Sequence, residues 1–243
     1  MEEIADPNRR YFVHYVRRVA PPGAVVLDYG CGSGELVRLL RAAGYEALGR
    51  AGVLRPYEEG GRLPFDDDMF DVVISDQVFE HVEPLEASLA EVERVVKPDG
   101  VMYHHFPSRE VVREGHIGIP LAHRMPPGRM RLLYTTALRR LGLGTFKDER
   151  PAREWAEARL AWIDRWTVYR SREEIHAVFG RNAELRHREI DYCRLRAGDR
   201  RWLRALLDRP RLRPPAEALF RRLAFQAIEA RPRTAAAQRP AAR

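Results

Sequence analysis

The fold is decided by the stretch Val25-Val26-Leu27-Asp28-Tyr29-Gly30-Cys31-Gly32-Ser33-Gly34-Glu35. A short apolar run ends at an acid, three glycines follow at alternate positions, and residues 36–40 then show helical spacing of apolar side chains. This order predicts a buried parallel strand, a tight turn and the start of a helix. The glycines allow positive φ and leave bare backbone for a ligand, while the first N–H groups of the helix favour a negatively charged ligand group. The spacing G-x-G-x-G differs from the dinucleotide pattern G-x-G-x-x-G, so a pyrophosphate cofactor is disfavoured.

Length and composition limit the class of protein. The 243 residues, 45% of them hydrophobic, suit one α/β domain of generous size or a domain with a small appended subdomain. Charged residues make up 32%, and no stretch approaches the ~20 apolar residues that span a bilayer, so no membrane association is expected. Residues 1–6 are acidic and lack the apolar segment of a secretory signal. Cys31 and Cys193 are too few for a disulfide framework, and we expect a cytoplasmic location.

The net charge of +7 raises the question of a nucleic-acid partner. The basic residues are almost all arginine, and the only lysines are Lys97 and Lys147. The arginines are scattered, and many lie beside acids, as in 148–150 and 172–174. We interpret them as solvated surface and expect no nucleic-acid partner.

Strand and helix patterns alternate through the first half of the chain. The predicted elements are a helix over 7–19, a strand over 24–29, a helix over 33–43, strands over 45–49 and 70–75, a helix over 83–96 and a strand over 101–106. Such alternation predicts an α/β fold with a parallel sheet covered on both faces.

The second half has a looser pattern. Helices are predicted over 131–141 and 151–166, a late strand within 184–196, and a proline-interrupted helical region over 199–229. Residues 231–243 lack apolar anchors and predict a disordered tail.

Four motifs follow one another in order: the glycine turn at 27–34, Leu63-Pro64-Phe65, the run 70–82 that ends in Glu80-His81-Val82, and residues 89–100. In these motifs, across residues 24–107, the chain resembles class I S-adenosylmethionine-dependent methyltransferases, in particular the small-molecule group with LPF and EHV motifs. The resemblance implies a Rossmann-like, doubly wound, mostly parallel sheet with helices on both faces and a helical acceptor-side elaboration. It implies one domain over 1–230, with its core at about 20–107 and its acceptor side at about 108–230.

The same resemblance implies S-adenosyl-L-methionine as cofactor and assigns residues to it. The glycine turn holds the methionine moiety with Asp28 near its amino group, Leu63-Pro64-Phe65 borders the adenine, and Asp76 and Gln77 lie close to the sulfonium. Cys31 is expected to line the pocket as a small residue rather than to act as a nucleophile. The expected cofactor-binding set is Asp28, Tyr29, Gly30, Cys31, Gly32, Gly34, Glu59, Leu63, Pro64, Asp76 and Gln77.

The chain departs from the family pattern after its second strand. Ala51 stands where a typical member has an acid that binds both ribose hydroxyls. Losing these charge-assisted hydrogen bonds costs about 1.5–3 kcal/mol each. Glu58 and Glu59 offer carboxylates from another direction, and Glu59 falls near an acid that often contacts adenine in the family.

The candidate catalytic residues are His81, His105 and His116. His81 either orients or deprotonates the acceptor, or it caps a turn. His104 and His105 end a strand, so alternation sends only one of them toward the pocket. His116 and His123 lie in a loop expected to cover the acceptor, with satisfaction of buried loop carbonyls as the alternative for each.

A metal is not expected. Related ubiquinone-biosynthesis O-methyltransferases resemble this stretch and use Glu-x-x-Glu-His for a metal. In this chain Gln77 occupies the position of the first glutamate, and Glu80 and His81 occupy the other two. Because hard divalent cations prefer carboxylates, the neutral side chain of Gln77 disfavours a metal here.

The resemblance therefore predicts that the chain is an enzyme, which transfers a methyl group from S-adenosylmethionine to a small-molecule acceptor. An RNA methyltransferase is one alternative, because of the arginine-rich surface. A catalytically silent methyltransferase-like binding protein is another, because of Ala51. The acceptor atom and the oligomeric state are left open.

Overall fold

The computed structural model describes residues 6–50, 62–198 and 200–233. Its centre is a six-stranded sheet with the strand order β2-β1-β3-β4-β6-β5. The strands are β1 (Val25–Tyr29), β2 (Glu46–Arg50), β3 (Phe70–Asp76), β4 (Val96–Phe106), β5 (Ala183–His187) and β6 (Gln226–Pro232). β2, β1, β3 and β4 pair in parallel, whereas β6 is antiparallel to both β4 and β5. The predicted mostly parallel, doubly wound sheet is confirmed.

Helices cover both faces of the sheet. They are α1 (Pro7–Val19), α2 (Glu35–Ala42), α3 (Leu85–Val95), α4 (Arg129–Arg140), α5 (Ala152–Trp166), α6 (Arg172–Phe179), α7 (Glu189–Ala197), α8 (Arg201–Leu207) and α9 (Arg213–Leu223). In the described part of the chain, every helix is too short or too polar to cross a lipid bilayer.

Alternation along the strands divides the core into two layers. On β1, Val26 packs with α1 and α2 on one face, and Leu27 packs with α3 and α6 on the other. A third apolar cluster lies outside the sheet, where Ile117 and Ile119 pack against Trp155 and Leu160 of α5. This cluster is the core of the segment between β4 and β5, which is the segment that the resemblance assigns to the acceptor.

The C-terminal predictions need correction. The late strand ends at His187, and residues 189–197 form α7 instead of continuing it. The region predicted to be helical over 199–229 ends in β6, and this strand includes Arg231 and Pro232, which were assigned to a disordered tail. The sequence of β6 has a low β-propensity, but pairing with both β4 and β5 overrides this local preference. Residues 234–243 lie outside the described residues.

Candidate active site

A cleft of about 170 Å³ opens at the carboxyl ends of β1 and β3. The strand order reverses between these two strands, because β2 follows β1 on one side and β3 lies on the other. Ligands of open parallel sheets bind at such a switch point. The cleft is lined by Arg9, Asp28, Gly30, Cys31, Gly32, Ser33, Glu35, Leu36 and Asp76.

The glycine turn forms the floor of the cleft. Gly30, Gly32 and Gly34 have φ of 86°, 50° and 74°, a region that side-chain-bearing residues rarely adopt. A Cβ placed on Gly32 would have no heavy atom within 4 Å, so the space above this residue is open to a ligand. A Cβ on Gly49 would come within 2.7 Å of the Cys31 sulfur, so Cys31 packs tightly against β2. Burial and the charge of Asp28 raise the pKa of the Cys31 thiol, which disfavours a nucleophilic thiolate.

Two carboxyl groups, the buried Asp28 and the half-buried Asp76, face the cleft. Burial raises the pKa of Asp28 to about 7, and the negative charge of Asp76 adds to this effect. Burial likewise raises the pKa of Asp76 to about 7, although Asn8 donates to its Oδ2 at 3.4 Å. Its Oδ1 has no hydrogen-bond partner among the described residues. Such a pair of acids is stabilised by a cationic ligand group.

Arg9 provides the opposite charge in the same cleft. It reaches from α1 and lies 3.0 Å from both Asp6 and Glu35. One part of the cleft therefore suits a cationic ligand group, because it is lined by acids. The neighbouring part suits an anionic group, because it is lined by the Arg9 guanidinium and the start of α2.

A second polar group lies beyond β3, in the short 3-10 helix Phe79–His81. The Nε2 atoms of His81 and His116 are 3.2 Å apart, and His81 Nδ1 is 2.6 Å from the Trp166 carbonyl oxygen. His116 Nδ1 is 2.7 Å from Glu114 Oε1, which also accepts from the Tyr169 hydroxyl. Burial lowers the pKa of His81. Burial alone would raise the pKa of Glu114, but hydrogen bonds from His116 and Tyr169 hold it below its ordinary value.

Glu80 is buried next to this pair of histidines. It is 1% exposed, and neither carboxylate oxygen has a hydrogen-bond partner among the described residues. Its Oε1 lies 3.9 Å from His81 Nε2. Burial raises the pKa of Glu80 well above its ordinary value, and the negative charges of Asp76 and Glu114 add to this shift.

His105 lies apart from the His81–His116 pair. Its Nε2 is 2.6 Å from the Tyr103 hydroxyl, its Nδ1 is 3.9 Å from Asp76 Oδ1, and burial lowers its pKa to about 3. This buried, neutral imidazole lies beside Asp76 without a hydrogen bond to it, and its Nδ1 has no partner among the described residues. As the alternation predicts, His104 points to the other face and bonds Ser75 at 2.8 Å.

A family profile described as "Methyltransferase domain" matches residues 4–184, which is most of the chain. The chain belongs to this methyltransferase family. The family and the fold imply S-adenosyl-L-methionine as cofactor.

One curated protein and one solved structure are similar to this methyltransferase domain. The ubiquinone biosynthesis O-methyltransferase of Azorhizobium caulinodans is 31% identical over 118 residues, which cover 41% of this chain and 47% of the relative. The chain thus spans about half the length of the curated relative that it matches. A structure of an S-adenosylmethionine-dependent methyltransferase from Mesorhizobium loti aligns with a TM-score of 0.51 at 16% identity, over 93% of this chain and 100% of that one. This second likeness shows the shared fold.

The remaining predicted cofactor residues of this methyltransferase lie in several places. Tyr29 is buried in the core with its ring 5.7 Å from Phe79. Leu63 donates its backbone N–H to Glu91, and Pro64 beside it is exposed. Gln77 has φ of 57° and donates its backbone N–H to the His105 carbonyl at 2.7 Å. Ala51, Glu58 and Glu59 lie outside the described residues.

Several site residues were missed from the sequence. Glu114 lies two positions from His116, so its place in the same loop was a usable signal. The sequence around Tyr169 and Arg9 carried no such signal, because these two residues reach the site from distant parts of the chain. His123 is 3.1 Å from the Arg109 carbonyl oxygen, which agrees with the loop-carbonyl alternative.

Proposed function

We propose that the chain transfers a methyl group from S-adenosylmethionine to a small-molecule acceptor. The observation that carries this proposal is the pair of acids beside the glycine turn, the buried Asp28 and the half-buried Asp76. The cofactor has a cationic amine, a cationic sulfonium and a carboxylate. Of the three acids in the cleft, Asp28 and Asp76 suit the cationic groups, and Arg9, which also pairs with Glu35, suits the carboxylate.

The cofactor supplies an electrophilic methyl group when bound, and the chain's residues bind and orient. Asp28 receives the amine, Arg9 and the start of α2 receive the carboxylate, and Asp76 stabilises the positive charge nearest to the acceptor. The open space above Gly32 admits the methionine moiety. Tyr29, Gly30, Cys31, Gly34 and Gln77 shape the rest of this half, and Glu59, Leu63 and Pro64 border the adenine. Proximity and orientation then account for most of the rate enhancement.

The acceptor side is the segment 108–230 together with α1. His81 and His116 face it, and the Trp162 ring lies 5.1 Å from the His116 ring and 6.0 Å from the His81 ring. This wall favours a small, partly apolar acceptor. The curated relative is an O-methyltransferase by name, and we propose a hydroxyl acceptor that loses its proton at the group formed by Glu80, His81 and His116. His105 acts as a positioning residue for Asp76. We assign the chain to the group with LPF and EHV motifs and to the cytoplasm, where Cys31 and Cys193 stay unpaired.

Calorimetric titration with S-adenosylhomocysteine tests the cofactor half. The wild-type chain should bind it, and Asp28→Asn should weaken binding roughly 10- to 100-fold, since a hydrogen bond to a charged group contributes about 1.5–3 kcal/mol. Asp99→Asn, at an exposed position near the start of β4, is the matched control and should bind like wild type. Absence of binding at millimolar ligand would instead support a catalytically silent binding protein.

A further inference from the structure

Arg131 is a cation buried inside the segment between β4 and β5. It lies in the first turn of α4, is 2% exposed, and donates from Nη1 to Asp164 Oδ1 at 2.6 Å. Its Nε and Nη2 are buried as well, and neither has a hydrogen-bond partner among the described residues. Burying a polar group without a partner is unfavourable, and more so when the group is charged. The guanidinium therefore has two buried donors that remain for an acceptor.

These two donors form one edge of the guanidinium, where their N–H bonds run parallel. Such an edge matches the two oxygens of a carboxylate, each of which accepts one hydrogen bond. Arg188 shows this match within the same chain, since its Nε and Nη2 donate to the two oxygens of Glu229 at 2.9 and 3.0 Å. Arg131 presents the same edge without a partner among the described residues. The donor pattern thus indicates an oxyanion ligand.

Thr135 adds a third donor on the same side of α4. It follows Arg131 by four positions, so the two side chains share one face of the helix. Thr135 is fully buried, and its hydroxyl has no hydrogen-bond partner among the described residues. A helical threonine can bond the carbonyl four residues earlier, but this hydroxyl does not. An oxyanion at Arg131 would give it an acceptor.

The charge balance favours a carboxylate over a phosphate. Arg131 already pairs with Asp164, so its positive charge is shared with one anion before a ligand binds. Burial lowers the pKa of His123, so this imidazole adds no positive charge at pH 7. A monoanion suits such a site, whereas a phosphate dianion would bring excess negative charge into a buried place.

Arg131 lies beside the wall of the acceptor side. Its partner Asp164 is in the same turn of α5 as Trp162, whose ring is 5.1 Å from the His116 ring. The charge of Arg131 also acts on His123, which belongs to the same loop as His116. The guanidinium and the histidine pair are therefore parts of one region.

We propose that Arg131 and Thr135 bind a carboxylate of the methyl acceptor, at the end of the molecule away from the hydroxyl that is methylated. This inference rests on the proposed function, because it names the class of acceptor. The acceptor is then a hydroxy acid with an apolar body. Its carboxylate lies at Arg131, its apolar part lies against Trp162, and its hydroxyl lies at His81 and His116. Paired charge-assisted hydrogen bonds orient such an acceptor before methyl transfer.

Matched pairs of acceptors test this subsite. The probes are para-hydroxybenzoate, para-hydroxyphenylacetate, para-hydroxyphenylpropanoate and para-hydroxyphenylbutanoate, each with its primary amide, which has nearly the same shape and no charge. Titration calorimetry in the presence of S-adenosylhomocysteine measures binding, and methyl transfer from S-adenosylmethionine gives KM and kcat. In at least one pair, the wild type should bind the acid roughly 10- to 100-fold more tightly than the amide.

Substitutions separate a binding role from a structural one. Arg131→Gln should remove the preference for the acid, and Arg131→Lys should reduce it to a few-fold, because lysine keeps the charge but lacks the paired donors. Thr135→Val should weaken acid binding roughly 10-fold. Asp164→Asn breaks the ion pair and leaves the donor edge, so it should keep or strengthen the preference. Arg129→Gln, at an exposed position of the same helix, should match the wild type.

The melting temperature controls for folding. The preferred acid should raise the melting temperature of the wild type and of Arg129→Gln, and it should leave that of Arg131→Gln unchanged. A cooperative transition in Arg131→Gln shows that the variant is folded, so its loss of preference then reports on binding alone.

Each outcome separates this inference from the proposed function. A chain that binds S-adenosylhomocysteine but binds no acid more tightly than its amide overturns the carboxylate subsite and leaves the function standing. Loss of the preference in Asp164→Asn as well as in Arg131→Gln would assign Arg131 a structural ion pair only, which also overturns the subsite. Tighter binding of the corresponding phosphonates overturns the choice of a carboxylate. A chain that binds an acid through Arg131 but does not bind S-adenosylhomocysteine supports the subsite and contradicts the proposed function.

Discussion

Asp28 and Asp76 show how burial gives ordinary residues a particular chemistry. Each carboxyl has a pKa of about 7, because water is excluded and because further negative charge lies nearby. An unfolded aspartate has a pKa of about 3.9. The folded chain therefore binds protons more tightly, so the stability contributed by these groups is present below about pH 4 and is lost as the pH rises toward about 7.

The first prediction concerns the pH dependence of cofactor binding. A cationic ligand prefers ionised carboxylates, so the affinity for S-adenosylmethionine should increase as the pH rises from about 6 to about 8. Titration calorimetry across this range measures the slope. Asp28→Asn and Asp76→Asn should each flatten it, and the variant Asp99→Asn, at an exposed position of β4, should keep it. A pH-independent affinity of the wild type would contradict the assigned role of the acids.

At the scale of elements, the turn between β1 and α2 determines what the cleft can hold. Its three glycines have positive φ, and the open space above Gly32 leaves room for a ligand. The neighbouring Gly49 has the opposite role, since a side chain there would collide with Cys31 and Val37. One glycine thus keeps space for a ligand, and the other allows close packing of β2.

The second prediction separates these roles by substitution. Gly32→Asp places a negative side chain in the space for the cofactor's methionine moiety, and S-adenosylhomocysteine binding should be lost in titration calorimetry. The matched control is Gly23→Asp, because Gly23 has φ of 83° and equally open surroundings but lies at the other end of β1. Both variants should lose a similar amount of stability, about 1–2 kcal/mol for the left-handed conformation. Equal ligand affinity in the two folded variants would place the cofactor elsewhere.

At the scale of the whole molecule, β6 and β5 complete one edge of the sheet. The segment between β4 and β5 forms the second half of the site. The chain leaves the sheet after Phe106 and returns at Ala183. The buried Glu229 of β6 ties these regions to α1 and α7. Its carboxylate accepts from Arg188 at 2.9 and 3.0 Å and from the Tyr15 hydroxyl at 2.9 Å.

The third prediction tests this network. Glu229→Gln removes the buried partner of Arg188, which keeps only its ion pair with Asp191 at 3.5 Å among the described residues. The free energy of unfolding should fall by about 1.5–3 kcal/mol, the contribution of hydrogen bonds to a charged group. Urea unfolding followed by circular dichroism provides the measurement. Glu184→Gln removes an exposed partner of Arg186 on β5 and should change stability by less than about 1 kcal/mol. Equal losses in the two variants would show that Glu229 is not a special anchor.

The alternating α/β core and the glycine turn could be predicted from the amino-acid sequence alone. These features depend on local patterns: apolar runs, helical spacing and glycines within a few residues of one another. Both acids could also be predicted, since Asp28 and Asp76 lie at the carboxyl ends of β1 and β3. Parallel strands bring those ends to one edge of the sheet.

How these parts meet depends on long-range contacts. His81 and His116 are 35 positions apart, and the Trp166 carbonyl and Glu114 that bond their Nδ1 atoms come from two further places in the chain. No local pattern encodes such a contact, because it depends on how the segment after β4 folds back over β3. The same holds for β6, whose residues form a strand because β4 and β5 pair with them on both sides.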